Sequence, residues 1–178
     1  MTSLATRALE RAQSLIPTKV RATLMLRAFG YLKVPLIAWV GPVVEELDAA
    51  HCVVRVPLRR RTRNHVNSLY IAVFTVGADV TGGMLAMETI RAHGSRVVLL
   101  FKDMQAEFLA RAEDDVTFRC DEGAAVRAAV DQAMATGERV NVPVHIVATV
   151  PRKRGDTPIA RFTMTLTLKR SEKGMRLV

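Results

Sequence analysis

RNHVNSLYIAVFTVGADVTGGMLAMETI, residues 63–90, decides how the rest of this 178-residue chain is read. It opens polar and becomes apolar, with Leu69, Val73, Val76, Val80, Met84, Met87 and Ile90 close to the i, i+3, i+4, i+7 spacing of a helix and Phe74 widening the apolar surface. A helix starting near Ser68 that is apolar nearly all round must be covered on most sides. Gly82 and Gly83 each lower helix propensity by about 1 kcal/mol relative to Ala, so they predict a close neighbour at that level. His93-Gly94 supplies the stop. One residue breaks the pattern: Asp79 is an acid where helical spacing asks for a core side chain.

The surroundings read as strands. His51–Leu58 alternates, with Cys52, Val54 and Val56 on one face, and Leu36–Leu47 is expected as its hairpin partner through Asp48-Ala49-Ala50. Ser95–Ala112 is a long strand candidate with Val98, Leu100, Met104, Ala106, Phe108 and Ala110 on one face, a series that Lys102 interrupts. Val116–Phe118 is a short strand, and Asp121 is placed to cap a helix running through Val126, Ala129, Val130 and Ala133 to Gly137. Val140–Val150 and Ala160–Leu168 alternate strictly on either side of PRKRGDTP, the pattern of a final hairpin. Strands gathered beside one buried helix predict an α+β domain with a mostly antiparallel, curved sheet wrapped around that helix.

Ahead of this domain, Leu4, Ala8, Ala12 and Leu15 mark an amphipathic helix that Pro17 interrupts. Val20, Leu24 and Ala28 mark a second, with Gly30 as its stop. Arg7, Arg11, Lys19, Arg21 and Arg27 flank the two stripes, so contact with a membrane surface stands beside docking on the domain's own sheet. The expected organisation is a helical extension over 1–35, the α+β domain over 36–170 and a tail over 171–178.

Charge is the compositional outlier: 26 Lys and Arg against 17 Asp and Glu give +9. Such a field attracts nucleic acid, anionic membrane or cofactor phosphates alike. Charge alone does not choose among them; aromatic residues are 5% of the chain and do not cluster with the basic ones as a single-strand stacking platform requires, so nucleic acid is not an expected partner. No uninterrupted apolar run approaches the roughly 20 residues of a bilayer span and the first 30 residues lack signal-peptide features, so a cytoplasmic protein is expected. Cys52 and Cys120 have neither CxxC spacing nor paired histidines, which predicts buried free thiols and no metal site.

The chain has no G-x-S-x-G elbow, Walker lysine loop, G-x-G-x-x-G or H-E-x-x-H, and those enzyme classes drop out. Two readings stand for Arg59, Arg60, Arg61 and Arg63: a solvated charge run, or guanidinium forks that clamp phosphate. Asp79 likewise either faces solvent or an arginine, or sits in a low-dielectric pocket that raises its pKa towards that of a useful base. Ser68 can serve simply as a helix cap.

With Asn64 six residues before Tyr70 and Asp79 nine after it, the stretch resembles the hotdog-fold acyl-CoA thioesterases, specifically the phenylacetyl-CoA thioesterase branch and a related branch. KDMQAEFLA resembles the family's strand after the central helix, and the likeness covers roughly residues 36–170. Tyr70, Ile71 and Ala72 stand where that family carries His-Gly-Gly. The resemblance implies a homodimeric or dimer-of-dimers hydrolase of acyl-CoA thioesters, with coenzyme A as part of the substrate and no separate cofactor. It implies Asp79 as general base or nucleophile, Asn64 orienting water or the carbonyl, and backbone N–H groups at the helix start holding the oxyanion. His65, Asn67, Ser68, Tyr70, Ile71 and Ala72 then border the substrate, while Arg59–Arg63 and Arg152, Lys153 and Arg154 attract the CoA phosphates. The loss of both glycines motivates an alternative, a hotdog domain that binds an acyl-CoA or acyl-carrier ligand without turning it over.

Overall fold

The computed structural model describes residues 17–94 and 96–171; the helix expected over 3–16 and nearly all of the tail lie outside the described residues. The elements are α1 (Thr18–Leu32), α2 (Pro35–Val40), β1 (Val43–Leu47), β2 (Cys52–Val56), α3 (Ile71–Ala92), β3 (Val97–Phe108), β4 (Val116–Cys120), α4 (Gly123–Thr136), β5 (Val140–Thr149), α5 (Pro151–Arg154) and β6 (Pro158–Arg170). The strands form one six-stranded sheet in the order β1-β2-β4-β5-β6-β3, with every pairing antiparallel. The expected α+β architecture is present. The sheet curves around α3, and 14 of that helix's 22 residues are buried, so its all-round apolar surface is covered as its composition demands. α3 is the one helix among the described residues long and apolar enough to cross a membrane, and 67% of that stretch is buried inside the fold, as in a core helix.

Phe74, Phe108, Phe118 and Phe162 form an aromatic cluster between α3 and the sheet, with Phe74 edge-on to Phe108 and Phe118 at centroid distances of 5.4 and 6.0 Å. Such edge-to-face contacts add about 0.5–1.5 kcal/mol each beyond area burial. α3 approaches this cluster at Gly77, where an added Cβ would lie 2.4 Å from the Phe118 ring. The close approach expected at Gly82 and Gly83 is therefore made one turn earlier. A Cβ at Gly82 or Gly83 would sit 3.5 Å from Val144 or 3.6 Å from Phe101, an ordinary contact. Buried Thr81 and Thr89 satisfy their hydroxyls by donating back to the Gly77 and Leu85 carbonyls.

Several local expectations are corrected. Leu36–Val40 is helical because Pro35 occupies the first turn of α2, where its missing N–H costs nothing, and the strand begins only at Val43. Gly30 does not stop α1; it lets α2 approach, since a Cβ there would lie 2.8 Å from the Ala38 nitrogen. α3 begins at Ile71 with Tyr70 at its cap, while the Ser68 hydroxyl donates to the Ala112 carbonyl. Asp121 pairs with Arg119, and α4 starts after Glu122 without a side-chain cap. In β3 the interruption at Lys102 is a bulge, because Phe101 pairs Leu166 while Asp103 pairs Thr165. The inward series is therefore Val97, Leu99 and Phe101 before the bulge and Met104 after it, so Val98 and Leu100 face outward. The alternation of β5 and β6 is observed as read, and Cys52 and Cys120 are free, buried and opposite each other across β2 and β4.

The glycines of α3 give a paired test. Gly77→Ala drives a methyl into Phe118 and is expected to destabilise the fold by about 1–3 kcal/mol. Gly82→Ala meets only ordinary contacts and is expected to be neutral or stabilising by up to about 1 kcal/mol. Urea denaturation of the two variants against wild type measures both.

Candidate active site

Asp79 lies just past the first two turns of α3, between buried Ala78 and Val80, and opens onto a cavity of about 620 Å³. The cavity is enclosed by α1, α2, the C-terminal half of α3 and the start of β3, and its wall is largely Met25, Leu26, Phe29, Met84, Met87 and Phe101. Gly83, one turn beyond Asp79, leaves its share of the wall bare, and the polar remainder is Thr18, Arg21, Glu88 and Arg91. Arg91 is bridged to Glu88, and Asp79 has no hydrogen-bond or ion-pair partner among the described residues. Burial without a compensating partner disfavours the carboxylate and raises its pKa from 3.8 to about 6. Of the environments open to Asp79 in the sequence, neither solvent nor an arginine is the one observed.

The remaining predicted residues gather at the other end of α3. The loop from Arg59 to Tyr70 is organised by Thr62, fully buried, whose hydroxyl accepts from the Arg59 N–H and donates to the Pro57 carbonyl. Asn64 Oδ1 accepts from the Val66 and Ser68 N–H groups, which commits that oxygen to the loop's own turn, and Asn67 takes a left-handed φ of 57°. The Tyr70 N–H donates to the Thr62 carbonyl and anchors the loop to the start of α3. Tyr70, Ile71 and Ala72 are exposed there, as are His65 and Asn67. Arg59, Arg60, Arg61 and Arg63 are exposed too, with Arg61 against Gly41 and 6.0 Å from the Trp39 ring centroid. Arg152, Lys153 and Arg154 form α5, exposed, with Arg152 3.7 Å from Asp114. Because the Leu58 N–H donates to the neighbouring Asp115, the loop and α5 border the same segment. The two basic clusters are thus each tied to the Asp114-Asp115 segment, one through Leu58 and the other through Arg152. None of their residues, nor Asn64, lines the cavity at Asp79. Eight residues of helix, about 12 Å of rise, separate Ile71 from Asp79.

The sequence matches the family described as Domain of unknown function (DUF4442) over residues 22–168. The chain belongs to this family. Solved structures with the same fold include a Pseudomonas aeruginosa protein of unknown function described as a probable thioesterase (18% identity, TM-score 0.71, 88% of this chain and 97% of that one). Another is zebra fish thioesterase superfamily member 2 (12%, TM-score 0.57, 87% and 99%). A third is a Haemophilus influenzae thioesterase (12%, TM-score 0.56, 76% and 82%). At these identities the likeness is one of fold, and it gives this member of the family the hotdog architecture of thioesterase-superfamily structures. No curated protein matches the sequence.

Sequence reasoning missed the cavity wall supplied by α1, including Arg21 and Met25, because the docking of that helix is a tertiary event. A Thr23 hydroxyl bonded to both the N–H and the carbonyl of Val44 fixes α1 against β1, and no local periodicity announces such a contact. The signal that was available lay in α3, where Asp79, Gly83 and Met87 recur every four residues on one stripe.

Because the folded chain holds the Asp79 proton more tightly than the unfolded chain, this group favours the fold at low pH, and that contribution is lost as pH rises through about 6. The ceiling is ~3 kcal/mol, and partial exposure brings it to ~2 kcal/mol. Asp79→Asn is expected to be the more stable protein well above pH 6, with the gap closing as pH falls towards 3.8, read as Tm against pH.

Proposed function

We propose that the protein hydrolyses acyl-CoA thioesters, with Asp79 as the group that delivers the nucleophile. The observation that carries this reading is a partnerless acid with a pKa near 6 on the wall of an apolar cavity large enough for an acyl chain. As general base, the Asp79 carboxylate takes a proton from water as its oxygen bonds to the thioester carbon. The C–S bond then breaks and the CoA thiolate leaves with that proton. As nucleophile, the same carboxylate bonds to the thioester carbon and expels the CoA thiolate as the C–S bond breaks, and water then opens the mixed anhydride to the free acid, protonating the thiolate and returning Asp79.

Asn64 retains a role compatible with its geometry: with Oδ1 committed to the loop, Nδ2 is left to donate to the thioester carbonyl. The exposed first turn of α3 offers backbone N–H groups to the oxyanion, and Arg59–Arg63 with Arg152–Arg154 attract the CoA phosphates. Since that end of α3 is about 12 Å from Asp79 along the helix, the complete site needs two copies of the chain, Asp79 of one facing the loop of the other. β3 supports such an assembly, because it is a 12-residue edge strand that among the described residues pairs only with β6.

The test is hydrolysis of a panel of acyl-CoAs by wild type and Asp79→Asn, with the oligomeric mass measured alongside. Turnover is expected to fall by roughly 10²–10⁴-fold in the variant, and wild-type kcat/KM to rise with pH to a plateau above about 6. Equal turnover by both proteins removes Asp79 from the chemistry. Binding of acyl-CoA with no turnover of any member establishes the non-catalytic hotdog domain instead, the reading favoured by Ile71 and Ala72 at the helix start.

A further inference from the structure

Of the 13 large hydrophobic residues exposed among the described residues, seven fall between Val20 and Trp39, on α1 and α2. Gly30 packs the two helices together against Ala38, so their outward residues share one small helical hairpin. Leu24, Tyr31, Leu32, Leu36 and Trp39 all stand outside the core, Tyr31 at 75% and Trp39 at 61% exposure. This concentration is more than the scattered apolar exposure of an ordinary surface.

The charge on the same segment is equally one-sided. From Thr18 to Val44 there is no acidic residue, while Lys19, Arg21, Arg27 and Lys33 are basic. Lys19, Arg27 and Lys33 are exposed, and Arg61, reaching over the Trp39 ring, adds a cation at the α2 end. An apolar, aromatic face rimmed by cations fits an interface of apolar interior and anionic rim. A nucleic acid would use the cations and leave Leu24, Leu32 and Leu36 facing water. The opposite side of α1 forms a wall of the Asp79 cavity, through Ala22, Leu26 and Phe29, so the same helix separates the cavity from whatever covers its outer face.

We propose that the outer face of the α1–α2 hairpin docks on an anionic lipid surface, inserting Tyr31, Leu36 and Trp39 at headgroup depth while Lys19, Arg27 and Lys33 contact lipid phosphates. This surface is independent of whether Asp79 acts as a base.

Trp39 is the chain's single tryptophan and reports the contact directly. The full-length protein is mixed with vesicles of phosphatidylglycerol and phosphatidylcholine, or of phosphatidylcholine alone, and Trp39 emission and co-sedimentation are read. Anionic vesicles are expected to shift the emission to the blue and to carry the protein down, with release as salt is raised. Each basic side chain contributes roughly fivefold in partitioning, so Lys19→Gln/Arg27→Gln/Lys33→Gln should lose on the order of a hundredfold. Leu24→Ser/Leu36→Ser should lose the blue shift and bind weakly through charge alone. All five positions are exposed, and circular dichroism confirms that the variants fold. Unchanged emission with anionic vesicles overturns the proposal, as does equal binding by wild type and both variants. A blue shift that follows protein concentration without lipid, with Leu24→Ser/Leu36→Ser halving the mass, assigns the face to a second copy and overturns it. Emission that is already blue and indifferent to lipid, in a protein whose mass Leu36→Ser leaves unchanged, assigns the face to residues 1–16 and overturns it as well.

Discussion

The packing of α3 on Phe118 at Gly77 is the contact on which the other features of the fold depend. A helix apolar on nearly every side is stable only inside a covering layer, and the sheet reaches it most closely where the helix has no side chain. Phe118 fills that gap, Phe74 and Phe162 close around it, and Phe108 brings the far end of β3 to the same cluster. The helix axis is thereby fixed relative to β3, β4 and β6. Everything further along α3 inherits its position from that contact, including the direction in which Asp79 points.

The two halves of the helix are consequently different materials. The first half is tightly packed against aromatic rings, which offsets the conformational entropy of ordering it. In the second half, the side of α3 that carries Asp79 and Gly83 meets a cavity whose wall contains three methionines, residues that adapt their packing more readily than branched side chains. Desolvating Asp79 there costs stability, and the cost is bearable because the aromatic half is well made. α1 completes the enclosure, held by the Thr23–Val44 hydrogen bonds at one end and by the Gly30–Ala38 approach at the other.

How much of this was legible in the sequence follows from how local each cause is. The strict alternation of β5 and β6 reports a sheet with one buried face, and it is read without error because nothing but the pleat sets it. The interruption at Lys102 was visible as a break, but a bulge changes which residues face inward, and only the register against β6 reveals that Val97, Leu99 and Phe101 precede it on the core side. Gly30 was read as a stop and Leu36 as the start of a strand, whereas a glycine also admits a neighbouring backbone and Pro35 opens a helix. At the candidate site, an acid on an apolar helix was evident, and its raised pKa followed from burial. The cavity itself was not evident, since more than a third of its wall comes from a helix whose amphipathic pattern is weak and whose docking is set by β1.

The division of α3 also bears on how a thioester would meet this fold. A ligand with a long apolar chain and a polyanionic head needs a dry compartment and a cationic one, held at a fixed separation. One helix supplies both, the compartment beside Asp79 and, about two turns back, the exposed first turn with its basic neighbours. Within one chain the two lie along the same rod and cannot converge on one carbonyl carbon. A two-fold axis perpendicular to the rod would reverse its direction in the partner, and a polar start could then face an acid of the second copy. The polar start presents Tyr70, Ile71 and Ala72, all exposed, and the first-turn backbone N–H groups lie beneath them. A thioester held there would meet main-chain donors and Asn64 at the polar start and Asp79 opposite, with the exposed side chains of Tyr70 and Ile71 shaping access.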